Sequence, residues 1–467
     1  MTGAQPEPGS FRDREGRVYY HSGDVYRALS RTALEEWRSL IGAEFFRTAL
    51  AEGRIVETEQ VETAPPAPDG DAQTWAGTLR HRKIPFISYP YEWSFSMLRE
   101  AALLQLSLLL EALEEEFTLK DASSYNIQWE GVSPVFIDVA SFQKLVPGDP
   151  WVGYLQFCQL FLYPLFLTAY KDLPFHPWLR GAIDGISPEA CNQVMSLRDR
   201  LRPGVFPDVY LQARLKSMTA SSPKSLRSDL SSAGFDRELI LRNVRRLTRI
   251  VGGLQWKRSR STWSEYEKEH NYSDADHEAK RSFVESAVGQ RPWKLAWDLG
   301  CNTGSFSRLA ARGAEYVVAM DADDLAIDRF FQQLRQEGCR NILPLVCNLT
   351  DPSPGLGWRG EERKAITGRP LPDLTLCLAL IHHVVIGANV PLREFIGWLA
   401  TFDSHLIIEF VTKRDPMVEK LLLNKKDIYT DYELPHFERC IGDHFEVIER
   451  TLLPSETRYL FFARPRA

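Results

Sequence analysis

At 467 residues the chain is longer than one ordinary hydrophobic core organises, so two domains are the natural expectation. A net charge of −6 and a pI near 6.0 disfavour broad attraction to nucleic acid, and seven cysteines in no short pairing motif fit a reducing, cytoplasmic interior. Met1 to Ser10 lacks the basic start and apolar core of a signal or transit peptide. Further along, Thr63 to Asp71 is rich in Pro, Ala and Asp and reads as a surface loop. The stretch Ile84 to Ser94 is dense in aromatics and prolines, which suits either a substrate-facing wall or an inter-domain contact. Two apolar runs, Ala101 to Leu113 and Trp151 to Leu167, are interrupted by Glu111 and Pro164 and read as buried helices rather than membrane spans.

Residues 117 to 142 predict a loop, a strand, a turn at Glu130-Gly131 and a second strand ending at Asp138. Asp121 and Asn126 have the Asp-x-x-x-x-Asn spacing of a protein-kinase catalytic loop, and Asp138 follows where that fold keeps a metal-binding aspartate. With the long apolar helix 94–116 before it, the segment from about 90 to 220 resembles a degenerate kinase-like lobe. The resemblance departs at Leu119-Lys120, which replaces His-Arg, and in the lack of a Gly-x-Gly-x-x-Gly loop or a prominent strand lysine among residues 1–80. A polar hairpin whose Asp and Asn side chains make turns explains the same residues.

Ser217 to Ser232 reads as a second loop, and Arg242, Arg245, Arg246 and Arg249, with Lys257, Arg258 and Arg260, as the solvated face of a basic helix. Trp263, Tyr266 and Tyr272 come next, either as part of a segment that covers a cofactor or as aromatic staples on a linker. Leu295 to Gly304 then carries the strongest signal. A short apolar strand reaches Asp298, and Gly300 and Gly304 let the following backbone turn tightly against a ligand. Asn302 stands where a dinucleotide fingerprint needs its second glycine, so a pyrophosphate fits poorly. A second strand, 315–320, ends at Asp321, about 20 residues past the loop, where an acid reaches a ribose diol. Strands 341–346, 373–380 and 405–410 follow, with segments 305–313, 325–337 and 391–401 long enough for crossover helices.

This order of residues resembles the class I S-adenosylmethionine-dependent methyltransferases over roughly the last 200 residues. The resemblance implies a doubly wound, mostly parallel α/β sheet with a separate α+β N-terminal domain, divided at 1–255 and 256–467. By resemblance Asp298, Gly300, Cys301, Asn302 and Gly304 hold the methionine part of S-adenosyl-L-methionine, Asp321 the ribose, and Asn348 and Leu349 the adenine edge. Asn348 departs from the carboxylate common there. The late Phe445-Glu-Val-Ile and Thr457 to Ala463 runs match the terminal antiparallel hairpin.

The run Ala379 to His383 takes the place where the family closes over the transferable methyl. His382 or His383 would then serve as a general base, or the pair simply caps the strand. Glu409 reads as structural, and Cys301, Cys339, Cys347 and Cys377 as packed thiols, with no zinc spacing and no metal expected. The expectation is a cytoplasmic enzyme methylating an O or N nucleophile of a small-molecule or carrier-bound acceptor, without nucleic acid or membrane. Oligomeric state stays open. Two alternatives stand beside it: a non-catalytic S-adenosylmethionine-binding or scaffold protein, and a phosphotransferase acting through the kinase-like lobe.

Overall fold

The computed structural model describes residues 3–65, 67–68, 75–219, 236–258, 274–423 and 426–466. Trp263, Tyr266, Tyr272 and Arg260 lie outside them, as do most of the Ser217–Ser232 stretch and several residues of 63–71. The chain divides into two units, one of Met1–Trp129, Pro134–Lys257 and Gly355–Arg363, the other of Glu130–Ser133, Arg258–Pro354 and Lys364–Ala467.

The first unit opens with a five-stranded antiparallel sheet. Its strands β1 (Gln5–Pro6), β2 (Gly16–His21), β3 (Asp24–Leu29), β4 (Thr58–Val61) and β5 (Gly77–His81) lie in the order β1-β2-β3-β5-β4. Helices Arg31–Leu40 and Glu44–Ala51 stand between β3 and β4, and the first starts at Ser30, whose hydroxyl accepts the Ala33 N–H. The long helix Phe95–Glu114 is largely buried, and its less buried stripe carries Arg99, Glu100, Ser107, Glu111 and Glu114. Two small ribbons follow: β6 (Phe117–Leu119) pairs with β9 (Phe142–Lys144), and β7 (Ile127–Glu130) with β8 (Ser133–Phe136). Gly131 makes the turn between β7 and β8 at φ +57°, close to where the sequence places it.

The aromatic stretch 84–94 is not a solvated surface: Phe86 and Trp93 are fully buried. Within it Trp93 Nε1 donates to Ser88 Oγ at 2.9 Å and Tyr89 N to Glu92 Oε2 at 2.8 Å. The arginine series is not one solvated face either, because Arg246 makes a two-pronged ion pair, 2.7 and 2.6 Å, with the buried carboxylate of Asp208. No helix among the described residues is long and apolar enough to cross a membrane.

In the second unit the alternating apolar runs form one seven-stranded sheet. Its strands are β10 (Trp293–Leu299), β11 (Ala314–Asp321), β12 (Ile342–Val346), β13 (Leu374–Cys377), β14 (His405–Val411), β15 (Phe445–Leu452) and β16 (Arg458–Pro465). The order is β12-β11-β10-β13-β14-β16-β15, with β10 to β14 parallel and β16 antiparallel to both neighbours. The order reverses between β10 and β13, and a crevice outside the strand carboxyl ends at such a point is where ligands bind in open α/β sheets. Connecting helices Ser305–Ala310 and Leu392–Ala400 are shorter than the sequence spans allowed, while Asp324–Gln336 keeps the expected length one residue earlier. Strand β13 also stops three residues short of Leu380. Its ladder ends at Cys377 opposite Ile408, and the Ala379 N–H turns instead to the Glu409 side chain at 2.9 Å.

Buried imidazoles in both units make the fold acid-sensitive. Burial holds His81 down to about 3, with Arg27 adding to the effect. His176 is lowered to about 4 by burial, against a hydrogen bond to the Trp93 carbonyl, and His383 to about 4 by burial and then Arg458. Unfolded imidazoles bind protons from about 6.5 downward. Between 6.5 and about 4 the unfolded chain therefore binds more protons, and stability falls as pH falls. Each such group is expected to cost about 1–2 kcal/mol by pH 5. Calorimetric midpoints at pH 7 and 5 check this; equal midpoints would refute it.

Candidate functional site

Asp298 ends β10 on the floor of the crevice, buried, and accepts the Ser307 hydroxyl at 2.6 Å. Burial pushes its carboxyl up to about 6, opposed by the Ser307 bond and by Lys280. The loop beyond it is tied to β11: the N–H groups of Gly300 and Cys301 both donate to the Met320 carbonyl, at 2.8 and 3.0 Å. Gly300, Asn302 and Gly304 all have left-handed backbones, at φ +77°, +49° and +82°. Both glycines are needed for space as well as for φ. A Cβ on Gly300 would meet Leu380 Cδ1 at 3.1 Å, and one on Gly304 would lie 1.9 Å from the Phe330 ring.

Asp321, at the end of β11, joins the loop to the next helix. Its two oxygens accept the Asn302 N–H at 2.8 Å and the Asp323 N–H at 2.9 Å. Burial raises its pKa while those two N–H groups oppose the rise. Beyond β12, Asn348 is exposed and its Oδ1 is engaged by Thr350 N and Oγ1 at 3.0 and 2.8 Å. Its amide NH₂ remains to face a ligand edge where a carboxylate would have accepted.

Asp298, Gly300, Asn302, Asp321 and Asn348 line one cavity of ≈ 340 Å³ in the second unit together with Cys301, Leu349, Ala379, Leu380 and His383, while Gly304 is not among the lining residues. The volume suits a small cofactor. Of the histidine pair only His383 lines it. His382 is fully buried, its ring 4.1 Å from that of His383, and both its nitrogens lack a hydrogen-bond partner among the described residues. The turn His383–Gly387 is a π-helix, with His382 just before it.

Sequence reasoning missed Lys280. From helix Asp274–Val288 it enters the cavity lining, 97% buried by surface, and its Nζ meets Glu409 Oε2 at 2.6 Å. The one available signal was a lysine on the inner stripe with Phe283, Val284 and Ala287, three residues that are also buried.

No protein-family model matches the chain. Over 467 aligned positions it is 33% identical to nodulation protein NoeA of Rhizobium meliloti (strain 1021), spanning 99% of this chain and 97% of that protein. The chain belongs to the NoeA family. Among solved structures, N-methyltransferase NodS from Bradyrhizobium japonicum WM9 is 13% identical, covers 42% of this chain and 99% of its own, and has a TM-score of 0.31. Magnesium protoporphyrin IX methyltransferase (ChlM) from Synechocystis PCC 6803 with bound SAH is 18% identical, over 44% of this chain and 92% of that one, with a TM-score of 0.31. Neither likeness assigns a substrate to this NoeA-family chain.

The kinase-like resemblance of the first half gains no support from the comparisons. Within the first unit, Asp121 and Asp138 do come together: burial, then the charge of Asp138, raises the Asp121 pKa. Asp138, however, already pairs with Arg27 of β3 at 2.7 Å. Among the described residues no group of three or more His, Cys, Asp or Glu is arranged to hold a metal ion.

Proposed function

We propose that the second domain, 256–467, is an S-adenosyl-L-methionine-dependent methyltransferase acting on an O or N nucleophile of a small-molecule or carrier-bound acceptor. The observation that carries this reading is the Asn302 N–H bonded to Asp321 at 2.8 Å, which joins the glycine loop to the acid beside a ≈ 340 Å³ cavity. Asp298 and Asn302 suit the methionine end, since the buried Asn302 Oδ1 has no hydrogen-bond partner among the described residues and accepts an ammonium N–H. Asp321 suits the ribose hydroxyls, and Asn348 with Leu349 the adenine edge. Bound there, the cofactor supplies an electrophilic sulfonium methyl.

This chain's own residues then have to align the acceptor, exclude water and, where needed, take a proton. His383 is placed for that last role, with His382 packed behind it. Held near 4, its imidazole is neutral at pH 7 and a weak base, suited to accepting a hydrogen bond from the acceptor as it reacts. The reading extends to a biological setting only through the name of NoeA, a nodulation protein.

For the first domain, 1–255, we propose substrate or partner binding in preference to phosphoryl transfer. Arg27 favours this, because it neutralises the aspartate a metal would need.

Thermal-shift titration tests both halves, since a ligand binding only the folded protein raises its midpoint. S-adenosylhomocysteine is expected to raise it and Mg-ATP to leave it unchanged; the reverse pattern defeats the proposal. Once an acceptor is found, His383 itself is expected to add no inflection near 6.5, whereas protonation of Asp298, pushed up to about 6, is expected to lower the rate as pH falls below that value. His383→Ala should lower kcat by about 10- to 100-fold with cofactor affinity kept. An undiminished rate removes His383 from the chemistry.

A further inference from the structure

The second unit buries four charges together beside the cavity. Lys280 Nζ lies 2.6 Å from Glu409 Oε2, Arg458 Nη1 lies 3.1 Å from Glu409 Oε1, and Arg458 Nε and Nη2 hold Asp415 at 2.6 and 3.1 Å. None of the four side chains is more than 4% exposed. Burial works against a charged Glu409, but Lys280 and Arg458 outweigh it and hold the carboxyl at about 2. Buried ion pairs of this kind add little net stability over packed apolar side chains, so their presence calls for another role.

That role is visible at the third contact of Glu409. Its Oε2 also accepts the backbone N–H of Ala379 at 2.9 Å, where β13 has left its ladder. Ala379 has φ +50°, a conformation that non-glycine residues rarely take and that persists only where the surroundings impose it. The next residue, Leu380, packs against Gly300. Its carbonyl accepts the His383 N–H at 2.9 Å and the Val384 N–H at 3.2 Å, which starts the turn that carries His383. A chain of contacts thus runs from Asp415 to Arg458, to Glu409, to Ala379, and from there to the wall and the histidine of the cavity.

We propose that Glu409 is a positioning residue: held between Lys280 and Arg458, it fixes the left-handed backbone of Ala379 and so places Leu380 over the glycine loop and His383 at the cavity. The part concerning the cofactor rests on the function proposed above. Glu409 acts through Ala379 and touches no reacting atom.

The test uses two full-length variants. Glu409→Gln keeps shape but removes the charge. The double variant Lys280→Met/Glu409→Leu removes the ion pair without stranding a charge, since Arg458 keeps Asp415. Hydrogen exchange is followed across 374–388 and in the remote strands β11 and β12, and S-adenosylhomocysteine affinity by calorimetry.

The expected result is exchange at Ala379, His383 and Val384 quickened about tenfold with β11 and β12 unchanged, and affinity weakened about tenfold, the loss of roughly one hydrogen bond. Exchange unchanged at Ala379, exchange raised equally everywhere, or local loosening with unaltered affinity would each overturn the proposal. If the unaltered protein takes up no S-adenosylhomocysteine, the cofactor reading fails, and the exchange arm still decides whether Glu409 positions Ala379.

Discussion

Gly304→Ala is expected to destabilise the second unit by about 2–4 kcal/mol, the sum of a tight-core clash and a left-handed alanine. Three atoms of the Phe330 ring lie 1.9 to 2.3 Å from where the new methyl would sit, at φ +82°. Phe330 cannot yield easily, because it is fully buried on helix Asp324–Gln336. The helix Ser305–Ala310 would have to move instead, and the loop from Asp298 with it. Gly338→Ala is the control: φ is +67° but nothing lies within 4 Å, so only the conformational cost of about 1 kcal/mol applies. Calorimetry should show a clearly larger fall in midpoint for position 304, together with loss of S-adenosylhomocysteine binding. Equal behaviour of the two variants would mean that the close approach to Phe330 does not constrain the loop.

Asp321→Ala is expected to weaken S-adenosylhomocysteine binding about 100-fold or more. Its carboxylate accepts two backbone N–H groups, from Asn302 and Asp323, and bonds to a charged acceptor contribute about 1.5–3 kcal/mol each, where 1.4 kcal/mol is tenfold. The loss falls on binding because one of those groups is the loop itself. Without Asp321 the Asn302 backbone, at φ +49°, loses the bond to the acid that helps hold it left-handed. Asp321→Asn keeps one acceptor oxygen and is expected to lose about tenfold. Calorimetric titration of both variants gives the answer, and unaltered affinity in the alanine form would remove Asp321 from the cofactor site.

Much of the cavity is legible in the chain because its parts are local. Asp298, Gly300 and Gly304 sit within seven consecutive residues, and Asp321 ends the next strand, so one strand–turn–helix unit brings them together. The terminal hairpin is readable for the same reason, since β15 and β16 are adjacent in sequence and pair directly. His382 and His383 show where such reading stops. As neighbours they are equivalent in sequence, and only the folded chain distinguishes His383, which lines the cavity, from His382, which does not.

Ala379 is harder still, for an alanine between two leucines carries no sign of a positive φ. The stretch 84–94 is ambiguous in another way, since its aromatic and proline content suits a surface for binding as well as the burial seen.

The alternation of strands and helices, the glycine loop and the acid that follows it are thus each set by residues close together along the chain. Folding alone settles which distant side chains meet: Lys280, Glu409, Asp415 and Arg458 in one buried group, and Arg27 with Asp138 in the other unit. The physical reason is that a buried charge is tolerated only when an opposite one reaches it, and that partner can come from any strand or helix that folding brings alongside.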